Sequence, residues 1–159
     1  MEESLKKWIE KVTKKYDELG GMAICPFAKK AVIENKVIWS YIEENPISFI
    51  LSFIKKNPDF ELAILIDKNK TLTDCDLKSM IESLKLSSPD MIFLKDHPDN
   101  PGYINGVNTG NGVYPIILVQ PREKLEESRK KLKKTKYYDY WSEEYLKEIW
   151  SYGSESRIV

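Results

Sequence analysis

Residues 61–94 read "ELAILIDKNKTLTDCDLKSMIESLKLSSPDMIFL", and this stretch decides the fold. Leu62 to Ile66 is an unbroken apolar run, the habit of a short strand covered on both faces. Thr73 with Asp76 three positions on has the form of a capping box, and Leu77, Met80, Ile81 and Leu84 follow at helical spacing. Met91 to Leu94 then returns to the dense apolar habit. Strand, helix and strand in that order make a crossover unit, which requires parallel pairing.

Working outward, Val37 to Ile42 is β-branched and aromatic and predicts a strand before the quoted stretch. Between the two, Asn45-Pro46 opens a helix whose Phe49, Ile50, Phe53 and Ile54 share one side, and Asn57-Pro58 closes it. After Met91 to Leu94 comes Lys95 to Val113, without helical period and crowded with Pro, Gly, Asn and Asp. That link predicts an antiparallel return into a fourth strand, Ile116 to Val119. Pro115 marks a strand beginning or an edge, because it cannot donate to a ladder. Pro121 opens a helix that is acidic early (Glu123, Glu126, Glu127) and basic late, the order its dipole favours.

Two helices are expected before the first strand. Ser4 caps one that carries Leu5, Trp8, Ile9, Val12, Tyr16 and Leu19 and stops at Gly20-Gly21; Pro26 begins a shorter one reaching about Glu34. A last helix is expected from Ser142 through Trp150, and residues 153–159 read as a frayed tail. The expectation is a single α/β domain over residues 1–152. It has a mixed four-stranded sheet with a βαβαββα core and extra N- and C-terminal helices. This element order admits a thioredoxin-like topology. A thioredoxin, however, places its Cys-x-x-C after the first strand, whereas Cys25 precedes it and Ala28 stands where the second cysteine would be.

The chain has 159 residues, 42% hydrophobic and 31% charged, with 25 basic side chains balancing 25 acidic ones. A neutral total provides no field for nucleic acid or an anionic membrane. The acidic start lacks the regions of a signal peptide, and Ile47 to Ile54 falls far short of the roughly 20 apolar residues of a membrane span. A cytoplasmic protein is expected, and in that compartment Cys25 and Cys75 should not pair. No cofactor and no oligomeric state can be read from these residues; a small-molecule ligand is the partner that the loop chemistry suggests.

Cys25 falls at the N-cap of the helix opened by Pro26, where the helix dipole lowers a thiol pKa, amid Ala23, Ile24, Phe27 and Ala28, whose apolar character raises it. A reactive thiol and a space-filling residue both remain open. Cys75, beside Asp74 and Asp76, reads as filler. His97 is the only histidine and sits at a strand end, at the head of the long loop that holds Asn100, Asn105, Asn108 and Asn111 with four glycines. Loops of that length and composition bind ligands or satisfy themselves. Asp96, His97 and Asp99 are acceptable metal ligands in type, but no second cluster completes a set, so no metal is assigned. "NTGNG" is no phosphate loop, because a strand follows it and no Gly-Lys-Ser/Thr is present. The run "RKKLKKTKYYDYW" reads as a solvated helix end with an aromatic anchor.

Three separated pieces share one pattern: Trp8 with Cys25-Pro26-Phe27-Ala28, then His97-Pro98, then "NTGNGVYPIILVQPRE" from Asn108 to Glu123. In that order they resemble a bacterial domain-of-unknown-function family, number fourteen-fifteen in its series. The resemblance is thinnest between Lys36 and Pro89. It departs at Asp96, where a phenylalanine is usual, and at Gly112-Val113, where Ser-Pro is usual. The family brings no activity with it. The resemblance implies that Cys25, Pro26, Phe27, His97, Pro98, Asn108, Thr109, Tyr114, Pro115 and Arg122 form the shared set.

Two functions follow as expectations. In one, the protein is a thiol-dependent enzyme in which Cys25 is the nucleophile or redox thiol and His97 its base. Asn108, Asn111 and loop N–H groups would hold an anionic ligand, with Asp99, Thr109, Tyr114 and Arg122 counted among the ligand-binding residues. In the other, the loop recognises a small molecule or a protein partner without catalysis, and Cys25 only fills space.

Overall fold

Dense β-branched runs joined by amphipathic helices fold here as the pattern requires. The computed structural model describes residues 1–135, 137–140 and 143. The chain runs α1 (Glu3–Thr13), β1 (Lys15–Tyr16), a 3-10 turn (Asp17–Leu19), β2 (Met22–Ala23), α2 (Pro26–Ile33), β3 (Val37–Tyr41) and α3 (Pro46–Lys56). It continues through β4 (Leu62–Ile66), α4 (Asp74–Ser87), β5 (Met91–Asp96), β6 (Tyr103–Ile104), β7 (Val107–Asn108), β8 (Ile116–Pro121), α5 (Arg122–Lys133) and a final 3-10 turn (Tyr137–Tyr140). The helix expected from Ser142 and the tail 153–159 lie outside the described residues, residue 143 excepted.

The α/β class and the mixed four-stranded sheet are both present, with strand order β3-β4-β8-β5. β3 and β4 are parallel, Val37 opposite Leu62 and Tyr41 opposite Ile66, while β8 is antiparallel to β4 and to β5. The capping box forms in full: Thr73 Oγ1 accepts the Asp76 N–H at 3.0 Å and Asp76 Oδ2 accepts the Thr73 N–H at 2.9 Å. The order of strands does not confirm a thioredoxin-like topology. Such a core holds its first strand inside the sheet, and here β3 is at an edge. Pro115 precedes a strand beginning, as one of its two readings had it. That strand is interior, and the Pro115 carbonyl accepts the Asp67 N–H at 2.9 Å.

The first helix is shorter than its periodicity suggests. It starts after Glu2, not at a Ser4 cap, and ends at Thr13, whose hydroxyl donates back to the Ile9 carbonyl at 2.7 Å. Lys14 is extended, and Lys15–Tyr16 then pairs antiparallel with Met22–Ala23 around Gly20 and Gly21, both at positive φ. Tyr16 and Leu19 still reach the core from this hairpin, so their spacing imitated a longer helix.

Alternation along the strands builds two apolar layers. Ala63, Leu65, Ile117 and Val119 face α3 and α4, meeting Ile50, Leu77, Ile81 and Leu84. Leu62, Ile64, Ile66 and Ile116 face the other way, toward α1 and α2. Each such side chain contributes about 1.5–3 kcal/mol on full burial.

Candidate functional site

On the α1/α2 side the helices do not close completely against the sheet. They leave a cavity of about 210 Å³, walled by Val37, Leu62, Ile64 and Leu118 from the strands, by Trp8 from α1 and by Phe27 from α2. α5 completes the wall with Leu125 and Arg129. Into this apolar space the sheet also sends Gln120, which is 6% exposed and whose side chain has no hydrogen-bond partner among the described residues. Native interiors rarely leave a buried carboxamide unsatisfied.

Cys25 lies in the wall of the same cavity, at the N-cap of α2, with Pro26 at the first helical position. Burial pushes its thiol up from the ordinary cysteine range. The Ala28 and Phe27 N–H groups and the Arg129 guanidinium pull the other way without prevailing. Both Cys25 and Cys75 are free thiols.

The Asn/Gly loop closes one side of the cavity and spends most of its polar groups on itself. Asp96, at the end of β5, accepts the Asn111 backbone N–H at 2.9 Å and its side-chain amide at 2.5 Å. Asn111 in turn donates to the Tyr114 carbonyl and accepts the Val113 and Tyr114 N–H groups. Asn108 Oδ1 accepts the Gly110 N–H at 2.8 Å. Lys11 Nζ donates to the Gly110 carbonyl at 2.9 Å and the Trp8 indole to the Thr109 carbonyl at 2.9 Å, which fastens the loop to α1. Gly110 is closely approached: a Cβ there would stand 3.0 Å from Asp96 Oδ1, tighter than ordinary contact. Burial pushes the Asp96 carboxyl up, against the Asn111 hydrogen bonds and the charge of Lys11.

His97 is 7% exposed and does not line the cavity. Its Nδ1 accepts the Asp99 N–H at 3.0 Å, so Nε2 carries the proton and donates to the Leu72 carbonyl at 2.9 Å. Asp67 Oδ2 takes the Leu72 N–H at 2.7 Å, and the two side chains together hold the segment leading into α4. Of the residues expected from sequence to be catalytic or ligand-binding, the cavity therefore gathers Cys25 and Thr109 and not His97, Asp99, Asn108, Asn111, Tyr114 or Arg122. Tyr114 shares the Glu2 carboxylate with Tyr41 and carries Lys70 Nζ 5.2 Å over its ring. Arg122 Nε donates to the Pro89 carbonyl at 2.6 Å.

Gln120 and Arg129 were missed, although each left a signal. Gln120 is the one polar residue of an otherwise apolar strand, on the parity of Ile116 and Leu118. Arg129 takes a place on the helix stripe of Leu125 and Leu132, inside a basic run that read as solvated. Among the described residues no group of three or more His, Cys, Asp or Glu side chains is placed to hold a metal ion. No helix of that set is long and apolar enough to cross a membrane.

No protein-family model, no curated protein and no solved structure matches this chain. Of the residues in the three sequence motifs, Trp8, Cys25, Phe27, Ala28 and Thr109 line the cavity.

Proposed function

We propose that the protein binds a compact, largely apolar small molecule in the cavity between the sheet and helices α1, α2 and α5, acting as a ligand-binding module. The observation that carries this reading is Gln120, a carboxamide nine-tenths buried, facing the cavity and without a partner among the described residues. An orphan of this kind costs about 1–3 kcal/mol, and a ligand's polar group would recover it. The volume suits such a guest, since a dry cavity of about 150 Å³ already takes a benzene ring. A thiol enzyme relying on His97 draws less from this geometry, because both ring nitrogens are engaged with backbone.

The test uses Cys25 as a local reporter. Aromatic fragments small enough to enter the cavity are screened for a rise in Tm, and the alkylation of Cys25 is followed with each hit, the exposed Cys75 serving as internal reference. Binding in the cavity slows Cys25 and spares Cys75. Fragments that raise Tm yet leave Cys25 as reactive as before, or a screen with no hit at all, defeat the proposal.

A further inference from the structure

We infer that the cavity's ligand is a neutral compound with an amide edge, a lactam or carboxamide whose N–H and C=O lie side by side and pair with the Gln120 carboxamide; this rests on the ligand-binding reading above. Gln120 is 6% exposed and lines the cavity from β8, on the parity of Leu118, and its side chain has no partner among the described residues. A carboxamide holds N–H donors on one atom and an acceptor on the next but one. A ketone or ether guest offers acceptors alone, and a carboxylate repels Oε1. A hydroxyl has to serve both sites from one atom, at the expense of straight hydrogen bonds. A guest with adjacent N–H and C=O groups answers both sites in one plane.

The charged side chains of the described lining already have partners, which is the argument for a neutral guest. Lys95 Nζ donates to Asp74 Oδ1 at 2.8 Å, Asp96 is engaged by Asn111, and Arg129 has a partner of its own. A net charge on the guest would lose its water without gaining a free counter-charge. The neutral polar groups are engaged as well. The Asn100 amide donates to Asp74 Oδ2 at 3.1 Å, the Thr109 hydroxyl to the Gly102 carbonyl at 3.1 Å, and the Tyr137 hydroxyl to the Ile24 carbonyl. Gln120 is thereby the carboxamide left to read a guest. The Trp8, Phe27 and Tyr138 rings, with Ile64 and Leu118, suit a flat body behind the amide edge.

The experiment compares quinolin-2(1H)-one with coumarin by calorimetric titration of the full chain at neutral pH. The two share a bicyclic body and a carbonyl, and differ only in a ring N–H that coumarin replaces with oxygen. The lactam should bind at least about tenfold more tightly, slow the alkylation of Cys25 and spare Cys75. Gln120→Leu should erase the preference. If coumarin binds as well as the lactam, the amide-edge assignment is overturned and the cavity remains a ligand site. A preference that persists in folded Gln120→Leu likewise overturns it. If neither probe binds at millimolar concentration while other fragments protect Cys25, this assignment alone falls; if no fragment protects Cys25, both readings fall. Because the wild-type comparison decides the matter by itself, a variant that fails to fold does not shield the proposal.

Discussion

The two faces of the sheet are built from alternate residues of the same strands, yet they end differently. Toward α3 and α4, Leu65, Phe93 and Ile117 meet Ile50, Ile81 and Leu84 with no exposed surface on any of them. Toward α1, α2 and α5, Leu62, Ile64 and Leu118 front a cavity that also holds Gln120 and Arg129. What separates the faces is a small number of positions: one glutamine in a strand and one arginine on a helix stripe. Closely packed hydrocarbon supplies stability, and the incompletely filled face leaves a cavity.

The comparison breaks most visibly at Phe93. Phe93→Ala on the closed face should lower unfolding free energy by about 3–5 kcal/mol in urea titration. A loss near zero would mean that this face is not the main source of stability. Gln120→Leu should work in the opposite sense, raising stability by about 1 kcal/mol while weakening ligand binding, because it removes an unsatisfied carboxamide and makes the open face resemble the closed one. A destabilised Gln120→Leu would show that the amide already has a partner.

The smallest effect concerns Cys25. Burial raises its thiol pKa, so above about pH 8.5 the unfolded chain gives up the proton while the folded chain keeps it. The folded state then binds more protons, and stability falls as pH rises from there toward the folded pKa; below that window Cys25 contributes nothing. Cys25→Ala should flatten this alkaline decline in urea titrations run across a pH series. Equal slopes in the two proteins would contradict the burial of the sulfur.

Much of this architecture could be read in advance, and what escaped did so for physical reasons. Runs such as Leu62 to Ile66 and the Thr73–Asp76 box declare themselves locally, because strand burial and capping depend on near neighbours. Strand order does not, since the insertion of β8 between β4 and β5 depends on pairings between segments far apart in sequence. The end of α1 was hidden by Tyr16 and Leu19, which keep a helical spacing in a hairpin. At the site, Cys25 could be placed at a helix start from Pro26 alone. His97 looked like a base because nothing local reveals that the backbone at Leu72 and Asp99 takes both its nitrogens. Arg129 was lost among neighbouring lysines, from which only its alignment with Leu125 and Leu132 distinguishes it.

The interior position of β8 also sets a timetable. Until residues 116–121 have been made, β5 has no strand to pair with in the main sheet and β4 lacks its second neighbour. A chain emerging from the ribosome therefore holds its greasiest strand, Leu62 to Ile66, half-married for the length of some fifty further residues of synthesis. Premature stops within the Asn/Gly loop should yield sticky fragments rather than small folded ones.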